Sequence, residues 1–481
     1  MGPASLSLTR SFRQYEGSLP VDGALILDQH LIGSSRTRST SSLVTDSAAG
    51  ATAFSCGRKS YNGAISILPD HTPCGTVLEA AKRAGYMTGL VVTTSITDAT
   101  PACFASHANL RSEEDLIALQ EVGHSSPLGR TLDLMLGGGR CHFLPNTTNG
   151  SCRADDFDVA KVAQEKYGWT YIDNRQDLKN LKPGPKLPLM GLFAGYNIPY
   201  EIDRRTMDDI YPSLEEMARV AIKALEAATE DSEKGFFLMI EGSRIDHAGH
   251  GNDPAAQVHE VLAYDRTVAT VLEFLDRSED EGAFVATSDH ETGGLAVARQ
   301  IKPPPSYPHY GWYPAVLANA SHSAEYLARK LNDDWFEADK RKSYINKKYV
   351  QKGLGIYNAT DEELDLLIDN PGFAVYYFAD MISRRAQIGW STHGHSAVDV
   401  NIYGYGEIDG LRGNHENTDV GKFLREYLGV DVDAITKELN KKSKSVSSAS
   451  ENHLSWTGRI PTAEDLEGLS REHEDFRVMV P

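Results

Sequence analysis

The chain has no run of the roughly 18 continuous apolar residues that a membrane span needs, and residues 1–20 hold no apolar export core. As written it carries neither a membrane segment nor an export signal. Basic residues are scarce too. Against 67 Asp and Glu stand 48 Lys and Arg, a formal charge of −19, which argues against a nucleic-acid backbone as the main partner. Small phosphate esters are not excluded, because salt screens exposed charges beyond about 8 Å and a site can hold an anion with its own metals and one arginine. No internal repeat is visible, which excludes a solenoid.

What is present suits a folded enzyme. Hydrophobic residues make up 41% and charged residues 24% of 481, enough for a sizeable core and against global disorder. Asn146-Thr147-Thr148, Asn149-Gly150-Ser151, Asn319-Ala320-Ser321 and Asn358-Ala359-Thr360 are glycosylation acceptor patterns. Two of them lie between Cys141 and Cys152, so that loop reads as lumenal and its two cysteines as a disulfide. Cys56, Cys74 and Cys103 read as buried or unpaired.

Strand-like apolar runs alternate with helical patterns, the rhythm of a mainly parallel central sheet flanked by helices, an α/β fold. The spacing predicts helices over 75–84, 213–226 and 254–276, the second behind a Ser213 N-cap. Strands are predicted at Leu90–Thr93, Leu132–Leu136, Phe236–Ile240, Phe284–Thr287 and Val398–Tyr403. Polar groups follow most of them at once: Asp98 and Thr100, Glu241 and Asp246, Asp289 and His290. In open α/β sheets ligands bind beyond the carboxyl ends of the strands, so these groups should converge. Residues 296–385, with prolines at 303–305 and a basic run at Lys340–Lys342, break the rhythm and read as an inserted subdomain of a catalytic body spanning 1–435. Residues 436–481, Ser- and Lys-rich at first, read as a flexible polar tail.

In Thr45-Asp46-Ser47-Ala48-Ala49-Gly50-Ala51-Thr52-Ala53 a serine opens a run of small residues that can start a helix, and a helix N-terminus aims free N–H groups at an anion. Taken alone, Ser47 is as well explained as an N-cap. Glu241-Gly242-Ser243-Arg244-Ile245-Asp246-His247-Ala248-Gly249-His250 is more specific: Asp246 and His250, four apart, can reach one ion from a helical turn, and oxygen plus imidazole suits zinc. Glu241, an oxygen ligand at a strand end, suits magnesium. Asp289-His290 forms a second such pair, trailed by Gly293-Gly294. His393 and His395 add imidazoles; His393 alone reads as a structural histidine.

The ordered motifs TDSAAGATA, DATPACFASHANLR, LGGG, EGSRIDHAGH, SDHETGG and THGH resemble the alkaline phosphatase family, most closely its fungal vacuolar-type branch, from Met1 to about residue 430. The resemblance implies hydrolysis of small phosphate monoesters through a phosphoserine on Ser47, with two zinc ions and one magnesium ion. Asp46 would orient the phosphate-binding Arg111, whose planar fork suits two phosphate oxygens, and His247 would lie near the phosphate. Asp246, His250 and His395 would hold the first zinc, Asp289 and His290 the second, and Asp98, Thr100 and Glu241 the magnesium, Asp98 through water. A homodimer and a vacuolar or other secretory-pathway lumen are implied as well.

One departure stands out. In the family an aspartate in an Asp-Gly-Met-Gly motif closes the first buried strand and bridges the second zinc and the magnesium, whereas this chain opens at Met1-Gly2-Pro3. The expectation is a polypeptide begun at an internal methionine, with weak or absent turnover; a natural short form that lost activity competes with it. Sulfatases of the same superfamily would show a Cys-x-Pro-x-Arg segment, which Ser47 lacks, and Arg111 favours a terminal phosphate over a diester. The rival from another class is a non-enzymatic metal-binding homologue.

Overall fold

The computed structural model describes residues 1–182, 184–302, 306–334, 340–447 and 456–469. The prolines at 303–305, residues 448–455 of the Ser- and Lys-rich stretch and the end of the chain, 470–481, lie outside the described residues. The strands in chain order are β1 (Leu31–Arg36), β2 (Met87–Ser95), β3 (Leu134–Gly138), β4 (Thr170–Ile172), β5 (Leu189–Leu192), β6 (Phe236–Glu241), β7 (Phe284–Thr287), β8 (Glu291–Thr292), β9 (His395–Ser396), β10 (Val400–Tyr405) and β11 (Gly413–Glu416).

Five of them form an all-parallel sheet in the order β4-β5-β3-β2-β6. The centre of β2, Gly89–Val92, is buried on both faces, as expected of an apolar run with helices above and below. The helix Leu214–Thr229 covers one face. Ser213 caps it by accepting from Glu216 N, and its stripe Leu214, Met217, Ala221 and Leu225 packs with Leu134, Leu136 and Leu189. Full burial of each such Leu or Met is worth roughly 1.5–3 kcal/mol. On another side Leu90, Val92, Met135 and Met190 meet Val77 and Leu78 of the helix Val77–Arg83, which begins with a capping box between Thr76 and Glu79.

A second sheet, β11-β1-β10-β7, is mixed: β10 runs antiparallel to both β1 and β7, and β1 parallel to β11. The single sheet expected from the sequence is thus divided. Strands β6 and β7 end their respective sheets without pairing to each other, and the side chains of β6 from Phe236 to Glu241 are only partly buried. The short ribbon β8-β9 pairs Thr292 with His395.

The described residues between 314 and 386 are mostly helical, and their apolar side chains, Leu327, Tyr349 and Phe378 among them, share a core with Tyr200, Ala248 and Ala256. This segment therefore rests directly on the helix Arg244–His250. At the other end, the boundary drawn at 435 falls inside the helix Val432–Ser447. Ile435 and Leu439, four apart on one face, enter the main core, so this helix is part of the body. Farther on, Thr457 O accepts from Asn109 N at 2.8 Å and Trp456 O from Gln120 Nε2 at 3.0 Å.

The cysteine reading needs one correction. Cys141 and Cys152 are joined, but so are Cys56 and Cys74, with Cα atoms 6.0 Å apart. The latter pair lies eighteen positions apart in sequence, and the turn at 57–73 brings them together. Cys103 is free and buried.

Candidate active site

Ser47 is the first residue of the helix Ser47–Cys56, and the N-cap is its neighbour Asp46, which accepts from Ala49 N at 2.9 Å. The competing reading of Ser47 as a cap is thereby answered: the capping oxygen is the carboxylate, and the hydroxyl is left to face elsewhere. Its Oγ lies 2.9 Å from His290 Nε2, and that nitrogen lies 3.1 Å from Asp289 Oδ2. The small residues of the helix have a steric reason. A Cβ added to Gly50 would stand 2.7 Å from Asp289 Cβ, so a bulkier residue there would push the serine helix off the Asp289 loop.

Asp46 also accepts from Gly63 N at 2.8 Å and lies 3.6 Å from Arg111 Nη1; Arg111 Nη2 donates to Asp98 Oδ1 at 2.9 Å. Two carboxylates thus hold one guanidinium beside Ser47 and fix the direction of its fork. Asp98 follows β2 as the N-cap of the helix Ala99–Ala105, and His247 Nε2 approaches it at 4.0 Å. Glu241, at the end of β6, accepts from Ser243 Oγ at 2.6 Å and is hydrogen-bonded by Thr100. Burial pushes its carboxyl up to about 8, helped by the charges of Asp289 and Asp98. A divalent ion beside Glu241 would bring that carboxyl down again, so its surroundings fit one.

The helix Arg244–His250 places Asp246 Oδ2 3.2 Å from His250 Nε2, and the β8-β9 ribbon brings in His395, whose ring stacks on His290 with centroids 3.4 Å apart. Ligand atoms of Asp246, His250 and His395 all lie within 4.8 Å of one another. His250 Nδ1 donates to the carbonyl of His393, and His395 Nδ1 to that of Thr45 at 2.7 Å. Each neutral ring therefore turns an Nε2 lone pair inward, and the two Nε2 atoms stand 3.0 Å apart. Two lone pairs at that distance repel unless a cation sits between them, so the donor set fits a metal, oriented as ligating histidines are by their carbonyl partners. If the rings are protonated instead, burial would push the Asp246 carboxyl up, but the charges of His250, His290 and His395 outweigh it and hold it well below the usual range.

His393 is kept out of this cluster: its Nδ1 donates to the carbonyl of His250 at 2.8 Å, and its ring meets Tyr376 edge-on. Two groups escaped the sequence reading. Thr292 Oγ1 donates to Asp246 and lies 3.2 Å from His290 Nδ1, and Ser243 binds Glu241. Neither carries a sequence signal beyond its place inside a motif.

With this geometry in view, the comparisons decide the family. A model of alkaline phosphatases matches residues 1–430. The repressible alkaline phosphatase of Saccharomyces cerevisiae is 54% identical, the match covering 91% of this chain and 81% of that protein. The chain belongs to the alkaline phosphatase family. An alkaline phosphatase of Schizosaccharomyces pombe is 48% identical over the same shares, 91% and 81%. Among solved structures, the alkaline phosphatase of Thermus thermophilus superposes with a TM-score of 0.75 at 28% identity, covering 92% of this chain and 93% of that one. As a member of the family, the chain is a phosphoric monoester hydrolase.

Proposed function

We propose that Ser47 is the nucleophile of this alkaline phosphatase family member and passes through a phosphoserine. One observation carries the reading: the Ser47 hydroxyl, at the N-terminal end of a buried helix, meets His290, which Asp289 pairs, while its neighbour Asp46 and Asp98 hold Arg111. The Arg111 fork would grip two oxygens of a monoester phosphate and turn its phosphorus towards Ser47 Oγ. The serine oxygen bonds to phosphorus as the bond to the alcohol breaks; water then releases phosphate and restores the hydroxyl. Since Arg111 would grip only the phosphate, leaving groups of many shapes should be accepted.

Asp246, His250 and His395 would hold one zinc, Asp289 and His290 a second, and Asp98, Thr100 and Glu241 a magnesium. When bound, these ions would lower the pKa of the serine hydroxyl and neutralise charge on the departing oxygen. The second zinc would have only two protein ligands, where three or four are usual.

The test is a chromogenic phosphate ester assay with zinc and magnesium supplied and then chelated, paired with acid quench and mass spectrometry of the Ser47 peptide. Expected are metal-dependent product, a phosphorylated Ser47, and loss of both in Ser47→Ala. Product formation unchanged by that substitution would overturn the nucleophile. No product from any form would favour the non-enzymatic homologue.

Two disulfides and the acceptor sequons support an oxidising secretory-pathway lumen, the vacuole included. No described helix is long and apolar enough to cross a membrane. A homodimer completes the reading on family grounds, and sedimentation equilibrium checks it.

A further inference from the structure

The ion pairs around Arg111 continue outward through a residue to which neither sequence nor family reading gave a role. Arg244 opens the helix Arg244–His250 and is 3% exposed. Its Nη2 donates to Glu325 Oε2 at 2.6 Å, its guanidinium lies 3.8 Å from the ring centre of Tyr200, and its Nη1 donates to His247 Nδ1 at 2.7 Å. A guanidinium offers only donors, so His247 Nδ1 must accept, and the ring proton of the neutral imidazole sits on Nε2. That is the atom turned towards Asp98, the carboxylate that holds Arg111.

Glu325 belongs to the helical segment 314–386. It lies in the first turn of the helix Ala324–Asp333, whose start is fixed by Asp253 accepting from Ala324 N at 2.7 Å and Asp203 accepting from Ser323 N at 3.1 Å. Tyr200 belongs to the same shared core.

We propose that Arg244 is a positioning residue: it fixes His247 as the Nε2–H tautomer aimed at Asp98 and a bound phosphate, and Glu325 makes that setting depend on the docking of the helical segment. The inference rests on the phosphate-site reading above. Without Arg244 the imidazole loses the donor that makes Nδ1 the acceptor, and the other tautomer becomes accessible.

The test uses the full chain with zinc and magnesium supplied. It combines inorganic phosphate binding by calorimetry, in a double-mutant cycle of Arg244→Met and His247→Ala, with spectra of isotope-labelled histidine. Each single substitution should weaken phosphate about 10-fold, and the double variant should bind no worse than His247→Ala. The His247 signal should be that of Nε2–H in the parent and a tautomer mixture in Arg244→Met. Glu325→Gln, which keeps an acceptor, should stay within about 2-fold of the parent, while Glu325→Ala shifts the His247 signal. Additive losses in the cycle, or an unchanged His247 signal in Arg244→Met, overturn the proposal. If Arg244→Met does not fold, Glu325→Ala decides by the same spectrum. Phosphate binding unaffected by Arg111→Ala would refute the phosphate-site reading, and the spectrum would still decide whether Arg244 sets the tautomer.

Discussion

Two carboxylates hold Arg111, Asp98 at 2.9 Å and Asp46 at 3.6 Å, which would fix its fork for the proposed phosphate. Arg111→Ala should raise KM and weaken competitive inhibition by phosphate by about 10- to 100-fold, the span of one or two charge-assisted bonds. Arg111→Lys should recover only part, since an ammonium lacks the fork. Steady-state KM and phosphate inhibition measure both. Glu121 shows the opposite case, a buried carboxyl whose two oxygens have no hydrogen-bond partner among the described residues. Burial, with the charge of Glu114, pushes it well above the usual carboxylate range. Its folded pKa being raised, its contribution is present below the unfolded value and is lost as pH rises above about 4.5. Glu121→Met should therefore stabilise the protein by roughly 1–3 kcal/mol near pH 7 and by less near pH 4, as read from thermal unfolding at the two pH values.

The helix Ser47–Cys56 works as a unit because it can lie against Asp289. A Cβ at Gly50 already meets Asp289 Cβ at 2.7 Å, so Gly50→Val should destabilise by about 1–3 kcal/mol and separate Ser47 from His290. The measurable consequence is a fall in kcat of at least about 10-fold at temperatures where the variant is still folded. Should kcat survive while only stability falls, the close approach serves packing alone. The β8-β9 ribbon has an equivalent task. Two residue pairs suffice to set His395 against His290.

Across the whole molecule, the helix Val432–Ser447 takes part in stability. Leu439 is fully buried in the main core, and Leu439→Ala should cost about 2–5 kcal/mol in denaturant titration. A second link joins the Cys141–Cys152 loop to the helix Glu114–Glu121: His142 Nδ1 lies 2.9 Å from Asp115 and Nε2 3.3 Å from Glu114. Burial opposes the imidazolium, but Asp115 and Glu114 outweigh it and raise it to about 9. A raised histidine stabilises fully below the unfolded value of about 6.5 and loses that contribution as pH rises through about 9. His142→Gln should flatten the decline of the unfolding midpoint across that window.

Periodicity and motif spacing determined much by themselves. The helix at 254–276 matches Pro254–Arg277, and the strand at Phe284–Thr287 is found as read, because apolar period and capping chemistry are local. The groups after β2, β6 and β7 were legible for the same reason: each sits a few residues beyond an apolar run. What only the tertiary structure decided depends on contacts distant in sequence. Neither the division of the sheet between β6 and β7, nor the pairing of Cys56 with Cys74, nor the place of Ile435 and Leu439 in the core has a local signature. Nor has the hold of Glu325 on Arg244, since an ion pair across 81 residues exists only once the chain has folded.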